Sequence, residues 1–214
     1  MIPVAARPAP PTFAAKVTNM AARYKARYGA PSIEQMRSTH YWTNIIPELR
    51  RAYKGICAYC AHWIPQPVGN SSVDHFVPLK VDPRLAYSWS NYRLACSILN
   101  GRKSAYQDVL DPFTLPPDWF YLDFFTLLIF PNPTLSVEDR DKVEKTIARL
   151  KLNDDSDLVE LRNHTLGYYC IGEYSFRALK KNAPFIAYEL ERQDLVNTIQ
   201  TLLYYDPEVL LGEE

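Results

Sequence analysis

The chain lacks net charge. Its 214 residues carry 24 Lys and Arg against 24 Asp and Glu, whereas proteins that grip nucleic acid ordinarily show a basic excess. It also lacks a long apolar run. The strongest one, residues 119–130, is interrupted by Asp123 and followed by Pro131 and Pro133, and it is too short to span a bilayer. Residues 1–11 are rich in Pro and Ala but hold no apolar core of the kind a secretory leader needs. Four cysteines are too few for a disulfide scaffold. These absences predict a cytoplasmic protein with no membrane partner, in which a Cys-x-x-Cys pair reads as a metal site or a redox motif. What is present, 47% hydrophobic and 22% charged residues, excludes wholesale disorder.

The zero balance hides an asymmetry. Residues 1–54 hold nine basic and two acidic side chains, residues 55–110 five and three, and residues 111–214 ten and nineteen. One interpretation is two solvated faces of opposite sign. The other is a basic front half able to approach phosphate and an acidic rear half that is not.

Local pattern divides the chain in the same places. Residues 1–12, with four prolines, read as a flexible arm. A helix is expected over 16–28, ending at Gly29 and Pro31, and a second from Ile33 capped by Ser32. A further helical piece follows Pro47. Residues 55–111 are dense in turn residues and short apolar runs. Residues 119–130 are aromatic and prone to strand. Beyond them Ser136 and Asp139 suggest a helix start, and Val143, Ile147 and Leu150 fall on one helical face. Ser156 is the expected cap of the next helix, with Leu158, Leu161 and Tyr169 apolar and Cys170 in the core. A final long helix is expected over 185–205, with Ile186, Leu190, Ile199 and Leu203 on its apolar side.

Three motifs lie between residues 57 and 104. They are Cys57-Ala58-Tyr59-Cys60, then Val73-Asp74-His75-Phe76-Val77-Pro78, then Ser90-Asn91-Tyr92-Arg93-Leu94-Ala95-Cys96 with Asn100-Gly101-Arg102-Lys103-Ser104 behind it. Each alone is weak; the ordered set is specific. Phosphodiester hydrolysis needs a nucleophilic water and relief of charge on the phosphate and the leaving oxygen. An imidazole takes a proton from water near neutral pH, and a hard divalent ion on oxygen ligands relieves the charge. Asp74 offers a carboxylate oxygen and Asn100 an amide oxygen. Neighbours on a strand point to opposite faces, so Asp74 and His75 serve one site only where the backbone bends.

This set resembles the HNH endonucleases, a branch of the ββα-metal (His-Me finger) nucleases. The likeness rests on Asp74-His75, Asn91 sixteen residues beyond the histidine, and Asn100-x-x-Lys103, flanked by Cys57-x-x-Cys60 and Cys96; it covers about 55–111. A looser likeness, through Thr146-Ile147, Leu150, Leu152-Asn153, Leu158 and Arg162, is to the helical tail of small HNH proteins found with retrons and Septu-type antiphage systems. The resemblance implies an α+β protein, a small ββα-metal nuclease core within a mostly helical chain. Residues 1–54 are then a basic arm with helices, 55–111 the nuclease core, and 112–214 a strand segment with acidic helices. It implies His75, Asn91 and Asn100 as the catalytic set. In that set His75 is the general base, Asn91 holds the loop, and Asp74 and Asn100 hold one Mg²⁺ or Mn²⁺. Arg102 and Lys103 are expected to contact phosphate. The implied substrate is DNA rather than RNA, and the implied partners are an ATPase or retron components of an antiphage defence system.

A zinc knuckle requires four ligands, and the position three residues after Cys96 is Leu99. Three arrangements stay open for structural Zn²⁺ at Cys57, Cys60 and Cys96. His62 completes the set, or water does, or zinc is lost and the cysteines pack as small hydrophobes; Leu99 favours loss. The degenerate cysteine set also motivates a competing expectation, a catalytically inactive nucleic-acid- or protein-binding module on the same scaffold. A cysteine redox role leaves Asp74-His75 without a purpose.

Overall fold

The computed structural model describes residues 1–66, 70–153 and 156–212, with only the backbone at residue 156, so the expected Ser156 cap lies outside the described side chains. The fold is α+β, helices with two small antiparallel sheets. Among the described residues no helix is long and apolar enough to cross a membrane. The chain forms two compact units. One comprises Val4–Tyr59 and Ile64–Gln107; the other comprises Met1–Pro3, Cys60–Trp63 and Asp108–Glu214. The first carries fourteen basic and four acidic side chains, the second ten and twenty. The N-terminal helices therefore belong to the same unit as the histidine motif.

In the basic unit the expected flexible arm is instead tied down. Trp89 Nε1 donates to the Arg7 carbonyl at 2.7 Å, the Arg7 amide donates to the Tyr53 hydroxyl at 3.2 Å, and Phe13 stands edge-on to Trp89 and Tyr92. A π-helical turn, Ala14–Thr18, leads into α1 (Asn19–Tyr28), which ends at Gly29 with φ +84°. Helix α2 (Ile33–Thr39) starts with a capping box in which Ser32 and Gln35 satisfy each other's backbone amides. Helix α3 (Ile46–Ala52) carries Pro47 in its first turn, where no amide partner is needed.

Strand β1 (Ser71–His75) pairs antiparallel with β2 (Tyr92–Cys96), placing Val73 opposite Leu94, Asp74 opposite Arg93 and His75 opposite Tyr92. Helix α4 (Ser97–Lys103) follows β2 directly. Ile45, Leu49, Tyr59, Leu94 and Leu99 are fully buried here, each aliphatic one contributing about 1.5–3 kcal/mol. Arg50, buried on α3, donates to the Ile64 carbonyl at 2.8 Å and to Ser71 Oγ, fixing the start of β1.

The acidic unit is built on a hairpin, β3 (Phe120–Leu122) with β4 (Ile129–Pro131). Helix α5 (Val137–Leu150) is capped by Ser136, whose side chain accepts from the Asp139 amide. Helix α6 (Ser156–Cys170) buries Leu158, Leu166 and Tyr169, while Leu161 is exposed and Cys170 only half-buried. Helices α7 (Phe176–Asn182) and α8 (Pro184–Arg192) follow, then α9 (Ile199–Leu202) and α10 (Pro207–Leu211).

The long helix expected over 185–205 is broken after Arg192. Asp194 adopts φ +56°, the Leu195 amide reaches the Leu190 carbonyl at 2.8 Å, and the Asp194 amide reaches that of Glu191 at 3.2 Å. This is a Schellman ending, with Asp where Gly is usual. The residues of the looser likeness are structural. Thr146 is fully buried and accepts the Leu110 amide, Leu150 and Leu152 are fully buried, and Arg162 donates to the carbonyls of Leu127 and Leu152 at 2.7 and 3.0 Å.

Candidate active site in the basic unit

His75 ends β1 half-buried, and its Nε2 lies 2.9 Å from the Ala86 carbonyl. A carbonyl oxygen only accepts, so Nε2 carries the hydrogen and Nδ1 keeps its lone pair. The Tyr92 hydroxyl donates to the same oxygen at 2.8 Å, and Trp42 and Tyr92 stand edge-on to the ring at 4.8 and 5.2 Å. Burial pushes the imidazole below its ordinary range, which favours the neutral form near pH 7. A neutral imidazole of fixed tautomer is competent as a proton acceptor.

Asp74, one residue earlier, is almost wholly buried. Its Oδ1 accepts from Lys103 Nζ at 3.0 Å and its Oδ2 from the Tyr59 hydroxyl. Burial raises this carboxyl despite the lysine, and burial and the Asp74 charge together raise the Tyr59 phenol well above its usual value. Lys103 is fully buried and also donates to the His75 carbonyl at 3.1 Å. The expectation that it meets solvent phosphate is therefore corrected; it holds Asp74 and the end of β1. Arg102 sits half-buried one residue earlier on α4.

Asn100 lies on α4 across from β1, its Nδ2 donating to Ser72 Oγ at 3.0 Å and the Val73 carbonyl at 3.4 Å. That leaves Oδ1 as the open end of its amide. Asn91 is buried and fully engaged. Its Oδ1 accepts the Val77 amide at 2.8 Å, its Nδ2 donates to the Val77 carbonyl at 3.0 Å, and its own carbonyl accepts the Phe76 amide. It clamps the connection after His75 and offers nothing to a reacting group, so its place in a catalytic set is that of a positioning residue.

Asp74, His75 and Asn100 line one cleft of about 260 Å³, shared with Trp42, Lys80 and Arg37. The last three were not singled out from the sequence. Lys80 lies five residues past His75, a signal available in hindsight, but Arg37 and Trp42 come from the N-terminal helical segment and carry none. A larger cavity of about 590 Å³ lies between α1, α2 and the turn at Tyr87, lined by groups such as Ala22, Ile33 and Met36. It is apolar and brings together no acid–base pair.

The donor set suits a hard divalent ion. Each Asp74 oxygen has a second lone pair, Asn100 adds an amide oxygen, and ions of this kind complete their shell with water. In the basic unit the sulfurs of Cys57 and Cys96 lie 3.9 Å apart and Leu99 is fully buried. In the acidic unit His62 Nδ1 lies 3.2 Å from the Cys60 carbonyl. Thiols are the soft ligands that zinc accepts.

No protein-family model matches the chain, and no curated protein matches it by sequence.

Proposed function

We propose that this chain is a metal-dependent endonuclease of the HNH type, hydrolysing phosphodiester bonds with DNA as the favoured substrate. One observation carries the reading: an imidazole whose basic nitrogen is Nδ1 shares a cleft with a carboxylate and an amide oxygen, on a strand–strand–helix unit rimmed by Arg37 and Lys80. His75 Nδ1 takes a proton from water as the water oxygen attacks phosphorus, the bond to the 3′ oxygen breaks, and that oxygen is protonated by solvent. The products are 5′-phosphate and 3′-hydroxyl ends. A divalent ion at Asp74 and Asn100 would supply charge relief to the phosphate and the leaving oxygen. Asn91 and the Ala86 carbonyl hold the base in place; Arg37 and Lys80 are suited to the flanking phosphates.

The test is plasmid nicking with Mg²⁺, Mn²⁺ or EDTA, with and without the products of neighbouring genes. Wild type should cut only with metal, and His75→Ala should lose about 10²–10⁴-fold in rate, the range for a general base. Equal cutting by the two proteins overturns the proposal.

One observation favours the competing reading of a non-catalytic binding module: Lys103 already neutralises Asp74. That reading requires nucleic-acid binding indifferent to both Asn100→Ala and chelation of Mg²⁺.

A further inference from the structure

Helix α1 is unusual within its unit, because it buries no side chain. A helix outside the core gains little from packing, yet this one displays Arg23, Lys25 and Arg27 with Tyr24 and Tyr28. Tyr28 is 63% exposed. Arg23, Arg27, Tyr24, Tyr28 and Tyr41 surround an open pocket of about 240 Å³.

From that pocket a series of rings runs to the catalytic cleft. Tyr28 lies 5.0 Å from Tyr24, Tyr24 lies 6.4 Å from Tyr41, and Tyr41 lies 6.3 Å from Tyr87. Tyr87 lies 6.2 Å from Trp42, which touches His75 at 4.8 Å. Arg37 borders the cleft end.

The charges along this path contrast with the paired cations of the chain. Lys16, Arg84 and Lys103 in the same unit each face a carboxylate, as do Lys142, Lys145, Arg149, Lys180 and Arg192 in the acidic unit. Arg23, Lys25, Arg27 and Arg37 make no ion pair among the described residues, and Glu34 is the one acid between residues 4 and 47. Unneutralised cations beside the exposed Tyr28 and the half-buried Tyr24 and Tyr41 match a strand that offers phosphates and unstacked base faces. A duplex offers phosphates but keeps its base faces stacked on one another, whereas base–aromatic stacking holds single strands without sequence preference.

We propose that α1 and this series of rings form a binding track for a single strand of nucleic acid, which delivers unpaired substrate to His75. The direction of delivery rests on the nuclease reading; the binding itself does not.

The test uses the full chain in EDTA and fluorescence anisotropy of one mixed sequence, labelled as single-stranded DNA, single-stranded RNA and blunt duplex DNA. Single strands should bind about tenfold or more tighter than duplex. Tyr28→Ala should weaken single-strand binding about five- to a hundredfold, as loss of one base stack predicts, while Tyr28→Phe should retain it. Arg27→Ala should flatten the dependence of affinity on salt. The DNA and RNA arms identify the sugar. Duplex binding as tight as single-strand binding, no binding of either strand, or affinity unmoved by Tyr28→Ala overturns the track. If binding follows these expectations and no metal-dependent cutting occurs, the nuclease reading fails and the track stands; if cutting occurs and Tyr28→Ala is silent, the reverse holds.

Discussion

Two asparagines do the same mechanical work in the two units. In the basic unit Asn91 grips both the amide and the carbonyl of Val77. In the acidic unit Asn153 grips those of Ile129, its Oδ1 accepting at 2.8 Å and its Nδ2 donating at 2.6 Å. The buried charges diverge. In the acidic unit Arg162 serves the Leu127 and Leu152 carbonyls, and Glu189, fully buried, accepts the Leu122 amide and pairs with Arg192. Both stitch helices to the β3–β4 hairpin. In the basic unit the buried pair Asp74–Lys103 lies beside an opening, with a titratable imidazole next to it. Buried charge in the acidic unit completes the backbone's hydrogen bonding; in the basic unit Arg50 does the same at the Ile64 carbonyl, while Asp74–Lys103 borders a cleft. The shared clamp is a backbone-positioning contact in both units.

The sharpest way to break this contrast is His75→Ala, which should remove cleavage while the protein still folds, as circular dichroism checks, since the ring is only half-buried. A second comparison sets Lys103→Met against Arg162→Met. Lys103→Met strands a buried carboxylate and should cost about 3–5 kcal/mol; Arg162→Met orphans two buried carbonyls and should cost about 2–4 kcal/mol. Urea titrations measure both. At equal folded fraction, Arg162→Met should cut at the wild-type rate and Lys103→Met should not; equal rates would erase the distinction between the two kinds of buried charge. Asn91→Ala and Asn153→Ala form the second pair. Each should lose about 1–3 kcal/mol, but only Asn91→Ala should slow turnover per folded molecule.

The smallest effect is electrostatic and confined to the acidic unit. Arg149 grips Asp108 with Nε and Nη2 and holds its carboxyl below the ordinary range. A depressed carboxylate contributes stability above its unfolded value, and that contribution is lost as pH falls through the folded one. Asp108→Asn should therefore lower the melting temperature at neutral pH, by the equivalent of about 1 kcal/mol or less for so exposed a pair. The gap between variant and wild type should close in acid below the ordinary aspartate range. A gap that widens in acid would show that the pair is not the source.

Much of this was legible because it is local. Ser32 with Gln35 and Ser136 with Asp139 are caps a few residues long, and α2 and α5 start where those pairs place them. The Asp74-His75, Asn91 and Asn100 spacing corresponds to a strand end, the residue before the next strand, and the helix that follows. What was hidden depends on pairing at a distance. Nothing in Asn100-x-x-Lys103 says that Lys103 turns inward, because its partner lies on β1, 29 residues earlier. The arm looked mobile from its prolines, yet it is tied through the Arg7 backbone to Trp89, 82 residues away. The end of α8 was missed because Asp194 occupies a position where glycine is the usual signal.

The register of β1 on β2 carries a consequence for how this chain tolerates change. Asp74 and His75 are consecutive, held opposite Arg93 and Tyr92. A slip of one residue would send each to the other face and exchange the carboxylate and the imidazole. The connection over 76–91 has no such parity: doubling its length would add only about 0.6 kcal/mol of closure entropy, provided Asn91 still finds Val77 and the Ala86 carbonyl still meets His75. Insertions and deletions should therefore accumulate in that connection, where substrate preference can drift, while a single-residue change of length within Ser71–His75 would dismantle the chemistry outright.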